Sequence, residues 1–214
     1  LLNFIILYLF GKISYKFNLV DIPNKRKIHS KATAYTGGIA ISIILLFAIF
    51  LFDGFYKSLS LVISIGFLIS IVGLIDDKYY LNIGGKLSLQ LIPIFYLVIF
   101  ENFSLYQVGD YNYFEADLGT FAIPFTFLSV LFLINAFNYF DGIDGTLGFT
   151  SISVLCILYF LVVDQNIKFF LSIVSIPILL FLLFNFSVFR VPKLFLGDSG
   201  SLFLGFIISF ILIF

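Results

Sequence analysis

Six long apolar runs, at about 36–52, 58–75, 87–101, 122–139, 146–163 and 167–186, dominate this chain, and two shorter ones lie at 1–10 and 202–214. A helix needs roughly 20 mostly apolar residues to cross the hydrocarbon core of a bilayer. Backbone polar groups find no water there, so each run must satisfy them within itself as a helix. A mean hydropathy of +1.15, with 61% hydrophobic and 11% charged residues, lies far outside the range of soluble domains. The expected fold class is all-α: a polytopic integral membrane helical bundle, one transmembrane domain over 1–214 with six complete and two partial spans. The lysines of the first run follow it and no small-residue cleavage site appears, so it is not a secretory signal. Leu1 and Phe214 both stand inside apolar runs, from which the chain is expected to be a fragment of a longer protein.

Orientation follows from the cations, because Lys and Arg stay on the cytoplasmic side of a membrane. Taking connections alternately, the segments 11–35, 76–86, 140–145 and 187–201 carry ten of the twelve Lys and Arg. The segments 53–57, 102–121 and 164–168 carry only Lys57 and Lys168. The acidic residues divide evenly, six and six with Glu101 counted at the edge of the outer set, so the bias belongs to the cations and the first set is cytoplasmic. In the longest outer segment, Gly109 and Gly119 flank an alternating Tyr-Asn-Tyr-Phe, which predicts a small β-hairpin. No internal repeat, low-complexity tract or heptad pattern is present. Cys156 lies inside an apolar run and needs no role beyond that of a small hydrophobe.

Five of the twelve acidic residues fall in three short cytoplasmic segments, each at the end of an apolar run. Asp76-Asp77 closes one span, and its plainest reading is a solvated helix end. Two adjacent carboxylates also repel, which suits a general base or the neighbourhood of a Mg²⁺ ion. Lys86 and Gln90 follow four residues apart at the base of the next span, where a snorkelling lysine is ordinary. In Asn135-Ala-Phe-Asn138-Tyr-Phe-Asp141-Gly-Ile-Asp144-Gly145 a polar side chain recurs every third residue, so that on a continuing helix each would neighbour the next. Asn135 and Asn138 stand near the membrane boundary, where polar groups are costly and usually have a task. In Leu196-Gly197-Asp198-Ser199-Gly200 the acid reads first as a helix cap. A helix start also presents free N–H groups to anions, and a carboxylate is a hard oxygen ligand for Mg²⁺. A fourth segment, Asp21-Ile-Pro23-Asn24-Lys25-Arg26-Lys27-Ile-His29-Ser-Lys31, is a basic loop before the helix start at Thr36-Gly37-Gly38. It would enforce topology or touch anionic lipid, and Lys31 is placed to reach a phosphate.

In this order the four segments resemble the polyprenyl-phosphate N-acetylhexosamine-1-phosphate transferases, the membrane enzymes of glycosyltransferase family 4 type that start peptidoglycan, teichoic acid and O-antigen assembly on a lipid carrier. The resemblance rests on Asp21-x-Pro23-Asn24-x-Arg26-Lys27-x-His29, Gly37-Gly38, Asp76-Asp77, Lys86 with Gln90, Asn135-x-x-Asn138-x-x-Asp141-Gly-x-Asp144-Gly and Phe195-Leu-Gly-Asp198-Ser-Gly-Ser, and so covers essentially the whole chain. The opening segment is more like the branch that uses UDP-GlcNAc than the branch that uses UDP-MurNAc-pentapeptide.

The resemblance implies transfer of HexNAc-1-phosphate from a UDP-N-acetylhexosamine to undecaprenyl phosphate, with release of UMP, at the cytoplasmic face of a bacterial inner membrane. It implies Mg²⁺ as cofactor, with Asp198 as principal ligand and the Asn138 carbonyl as a second. Asp76 would deprotonate or orient the lipid phosphate and Asp77 would support it or the metal. Lys31, Asn138, Asp141 and Asp144 would hold the nucleotide, Phe195 would stack on uracil, and Lys86 and Asn185 would complete the pocket. Membrane lipids and a second copy of the chain are compatible partners; nucleic acid is not expected. The alternative from another class is a secondary transporter or ion-coupled channel. Transporters place functional carboxylates near the bilayer midplane in broken helices, whereas here the five carboxylates all fall at one interface.

Overall fold

The computed structural model describes residues 1–23, 31–52, 55–110 and 115–214. Among them are eight α-helices: α1 (Leu2–Lys16), α2 (Gly37–Leu51), α3 (Lys57–Tyr79), α4 (Ile83–Phe95), α5 (Ala122–Phe140), α6 (Thr146–Leu161), α7 (Gln165–Asn185) and α8 (Gly197–Ile213). Each apolar run is thus a helix, and the protein is an all-α membrane protein. Pro93 lies inside α4, which continues as a π-helical turn at Tyr96–Phe100. Proline removes a donor and crowds the preceding turn, and a local π adjustment re-satisfies the freed backbone groups.

Four helices are long and apolar enough to cross a membrane: Lys57–Tyr79, Ile83–Phe100, Gly119–Phe140 and Gln165–Asn185. Two runs expected to be complete spans form shorter helices, α2 with 15 residues and α6 with 16. For α6 the reason is local. Val162 is extended (φ −72°, ψ 139°), because Asp164 caps α7 by accepting from the N–H groups of Asn166 and Ile167. That cap starts the next helix and leaves Val162-Val163 as linker.

Two antiparallel ribbons accompany the helices. β1 (Val20–Asp21) pairs with β2 (Thr33–Ala34), and β3 (Gln107–Asp110) pairs with β4 (Glu115–Asp117). The second is the hairpin expected in the long outer segment. The first was not anticipated; a parallel bridge from Ala34 to Leu194 ties it to the segment before α8.

Successive helices run up and down, and Asn18, Tyr35, Tyr80, Asp141, Asn185 and Gly197, each beside a helix end, line one cleft. The ends of α1, α3, α5 and α7 therefore lie with the starts of α2, α4, α6 and α8. At the centre is α8, in which every residue from Ser199 to Ile211 is buried. It packs mainly on α3, α5 and α2. Close approach is achieved by glycine, as is common where helices meet in membranes. A Cβ on Gly38 of α2 would stand 2.0 Å from the Gly200 nitrogen, and one on Gly73 of α3 would stand 2.4 Å from the Asp198 carbonyl. Ser42 of α2 donates to Ser70 of α3 at 3.0 Å inside this contact. On the outside Phe50, Phe132 and Phe160 are largely exposed apolar surface, which suits lipid rather than water.

Candidate active site

The turn from α3 to α4 builds the first part of the site. Tyr80 ends α3 in the left-handed region (φ 52°), and Asn82 caps α4 by accepting from Gly85 N at 2.7 Å. This short turn folds Lys86 back over Asp76. Its Nζ lies 2.6 Å from Asp76 Oδ2, while Asp76 Oδ1 accepts from Leu81 N at 2.9 Å.

The second part comes from α5 and α8. Lys86 Nζ also lies 2.7 Å from Asp198 Oδ2 and donates to Asn138 Oδ1 at 3.0 Å. Asn138 Nδ2 donates to Asp198 Oδ1 at 2.8 Å and to Ser201 Oγ at 2.9 Å. Lys86 is thus the hub of the cluster, bridging two carboxylates and an amide from three other helices. Asn138 grips the carboxylate of Asp198 with its nitrogen and faces Lys86 with its oxygen. A direct metal contact by that carbonyl would require it to leave Lys86.

Asp77 has a structural task. Its Oδ2 accepts from the Asp198 N–H at 2.9 Å, supplying across the α3–α8 contact the cap that Leu196 lacks. A carboxylate suits the positive end of a helix. The contact is close because Gly197 has φ +71°, and a Cβ there would meet Tyr35 O at 2.5 Å and Asp77 Oδ2 at 2.7 Å.

The polar stripe at 135–144 is divided by the end of a helix. α5 stops at Phe140 and Asp141 is its C-cap, so Asn135 and Asn138 share a helix whereas Asp141 and Asp144 stand on a turn. That turn closes at Gly145, where φ is +79° and a Cβ would meet the Phe186 ring at 2.3 Å. The Asp141 carboxyl is pushed up to about 7, first by burial and then by the charges of Asp198 and Asp144. Asp144 forms an ion pair with Lys193.

These groups open on one cleft of about 920 Å³, lined by Asp76, Asp77, Asp141, Asp144, Asn185, Phe195 and Asp198, with Asn18, Asp21, Tyr35, Tyr80 and Lys193 among its other walls. Asn185 is buried and donates to Leu194 O at 2.8 Å, while its Oδ1 has no partner among the described residues. Lys86 and Asn138 stand behind Asp198 rather than in the wall. Lys31 is exposed and outside the lining residues. Asn24, Arg26, Lys27 and His29 of the basic segment lie outside the described residues. One turn deeper than Lys86 and Asn138, the buried Gln90 accepts from Asn135 Nδ2 at 2.9 Å.

Sequence reasoning missed Tyr35 and Tyr80 as walls of the cleft, because no periodic pattern marks them. Burial and the charge of Asp77 push the Tyr35 hydroxyl up to about 12. Lys193 was visible only as one more cytoplasmic cation.

With this geometry in place, comparison with known proteins is decisive. The sequence profile of glycosyl transferase family 4 matches residues 58–214, from the start of α3 through α8. The chain belongs to that family. It is 33% identical over 201 residues to a Bacillus subtilis (strain 168) protein named probable undecaprenyl-phosphate N-acetylglucosaminyl 1-phosphate transferase, covering 92% of this chain and 56% of the relative. It is 30% identical over 217 residues to the Escherichia coli (strain K12) undecaprenyl-phosphate alpha-N-acetylglucosaminyl 1-phosphate transferase, covering 98% and 59%. A Yersinia pestis protein of the same name is 28% identical over 212 residues, covering 97% and 58%. The chain therefore spans a little over half the length of the curated relatives it matches. The family 4 match spans the whole cluster from Asp76 to Asp198.

Proposed function

We propose that the full protein transfers a HexNAc-1-phosphate, GlcNAc-1-phosphate in the first instance, from a UDP-sugar to undecaprenyl phosphate and releases UMP at the cytoplasmic face of the inner membrane. The observation that carries this reading is the convergence of carboxylates from three separate segments, Asp76-Asp77, Asp141 with Asp144, and Asp198, on one cleft at one end of the helices. The names of the relatives support the lipid acceptor and the sugar.

In the reaction an oxygen of the lipid phosphate forms a bond to the β-phosphorus of the donor, and the bond from that phosphorus to the bridging oxygen breaks, leaving UMP. Two anions must be brought together, so alignment and charge neutralisation dominate the barrier. Lys86, held between Asp76 and Asp198, offsets their charge from behind the cleft wall. Asp76 orients the lipid phosphate or takes its proton. Phe195 provides a flat face for uracil, and the Asn185 oxygen, without a partner among the described residues, accepts an imide N–H. Asp141 and Asp144 frame the ribose and sugar side of the cleft.

The residues present fit Mg²⁺. The donors are hard carboxylate oxygens, and burial beside like charges raises Asp141, as expected of a site short of positive charge. Among the described residues no three acidic, His or Cys side chains form a complete cage. Mg²⁺ usually takes one or two carboxylates together with substrate phosphates, and Asp198 with Asp77 would supply the carboxylates here. Asp198 would hold the ion and Asp77 would support it from behind, and the bound ion would neutralise the diphosphate and the departing UMP. The test is UMP release by the full-length protein given UDP-GlcNAc and undecaprenyl phosphate. Asp198→Ala is expected to abolish the Mg²⁺-dependent release; unchanged turnover would remove Asp198 from the metal site.

A further inference from the structure

An anionic donor entering this cleft meets six carboxylates, those of Asp21, Asp76, Asp77, Asp141, Asp144 and Asp198, so the cations that offset them decide where its phosphates rest. Lys86 is committed to Asp76, Asp198 and Asn138. Lys78 lines the cleft but turns its ammonium over the Tyr79 ring at 5.5 Å, and Tyr79 is not among the lining residues. Lys193 is different. Its ammonium stands 5.3 Å from the centroid of the Phe195 ring, over its face, and pairs there with Asp144. The two side chains of that pair are 34% and 37% exposed. An ion pair so open to solvent is weak and readily exchanged, and a cation–π contact at such a site adds little.

Lys193 therefore covers the aromatic face on which a planar base would stack. A base arriving on Phe195 displaces the ammonium from the ring. A phosphate attached to the nucleoside gives that ammonium a better partner than Asp144, because charge-assisted contacts to phosphate are strong. We propose that Lys193 is an exchangeable cation of the donor site: it rests on Phe195 and Asp144 in the empty cleft and binds the phosphate nearest the base in the loaded one. The exchange also frees the Asp144 carboxylate to accept from a hydroxyl of the donor. This inference rests on the uridine-nucleotide reading above and adds to it a phosphate ligand and a resting contact that must break.

The experiment is equilibrium binding of UMP and of uridine to the full-length protein and to its Lys193→Ala and Lys193→Arg variants, in Mg²⁺ buffer without lipid acceptor. The two probes share the base and differ in the phosphate. Lys193→Ala is expected to weaken UMP on the order of ten-fold, the effect of one charge-assisted hydrogen bond, and Lys193→Arg to restore most of it. Uridine should bind Lys193→Ala as well as wild type or better, because it carries no phosphate for the lysine to hold and the variant takes the ammonium off the Phe195 ring. Unchanged UMP binding in Lys193→Ala overturns the proposal, as does an equal loss of UMP and uridine. Wild-type protein that binds neither probe refutes the uridine-nucleotide reading itself, and the proposal falls with it.

Discussion

Gly73→Ala tests whether the site depends on how closely α3 meets α8. The added Cβ would stand 2.4 Å from the carbonyl carbon and oxygen of Asp198 and from Ser199 N, where ordinary contact begins at 3.4 Å. All three neighbours are backbone, so no side chain can rotate away and the two helices must part by about 1 Å. Asp76 and Asp77 ride on α3 three and four residues further on, and Asp198 is itself the contact. The separation therefore falls directly on the Lys86 bridge, which spans only 2.6 and 2.7 Å. A misplacement of 1 Å costs about 10²-fold in rate, and overpacking costs roughly 1–3 kcal/mol of stability, partly offset by about 1 kcal/mol from the better helix propensity of Ala. Gly66→Ala is the internal control on the same helix. Its Cβ would meet only side-chain tips, Ile207 Cδ1 and Phe203 Cε2 at 3.1 Å and Phe206 Cδ1 at 3.2 Å, which can give by a few tenths of an ångström. UMP release and thermal unfolding of the detergent-solubilised full-length protein would be measured for both. Gly73→Ala should lose about two orders of magnitude in turnover while Gly66→Ala stays near wild type. Equal damage by the two substitutions, or wild-type turnover in Gly73→Ala, would refute the reasoning.

Asp141 gives a pH signature. Its carboxyl titrates at about 7 in the folded protein against an ordinary 3.8, so the folded state holds the proton more tightly than the unfolded chain. Stability from this group is complete below pH 4, is lost as pH rises through 7, and stays flat above. The difference corresponds to at most about 4 kcal/mol, reduced by the partial exposure of the side chain to roughly 1–2 kcal/mol. In metal-free buffer Asp141→Asn should raise the melting temperature over wild type at pH 8 and leave it little changed near pH 4; an equal offset at both would exclude this assignment. The Gln90–Asn135 pair calls for a double-mutant cycle. Asn135→Leu strands the fully buried Gln90 side chain, whose Nε2 already lacks a partner among the described residues, at a cost of about 1–3 kcal/mol. Adding Gln90→Leu should recover much of that loss, and additive costs in thermal unfolding would show that the two amides are not coupled.

The positions of the helices were legible because lipid leaves a chain so few choices. Their ends were less so, because ends are set by side-chain chemistry rather than by hydropathy. Asp164 starts α7 and strips two valines from the run before it, and Gly145 with Phe186 fixes the turn that takes Asp141 and Asp144 off the helix. The bringing together of Asp76, Asp77, Asn138, Asp141, Asp144, Asn185, Phe195 and Asp198 followed from alternation alone: each stands at the same end of an up-and-down bundle. Alternation could not rank them. Lys86 reads in sequence as a snorkelling lysine at a helix base and is in fact the shared partner of two carboxylates, because the left-handed Tyr80 and the Asn82 cap turn α4 back onto α3. Lys31 reads as a phosphate ligand and stands outside the cleft wall, since the two-residue strands that place it have no periodicity to detect.

The same physics explains why a charged cluster is tolerated at the edge of so apolar a protein. α8 enters the bundle with Gly197 and Asp198 at the cleft wall, and Asp77 caps the Asp198 N–H. From Ser199 onward it is sealed on all sides by α2, α3 and α5. Glycine at both faces of that entry lets three helices approach to backbone contact, so the carboxylates are held by rigid elements and not by loops. A charge held so near lipid survives only if partners are fixed within hydrogen-bond distance, and Lys86 and Asn138 meet that condition for Asp198. Asp141 is left with a raised pKa by burial and the charges around it, and Asp144 is paired with a lysine about one-third open to solvent. The cleft is thus rigid at its base and electrostatically unfinished at its mouth, the side from which a nucleotide arrives.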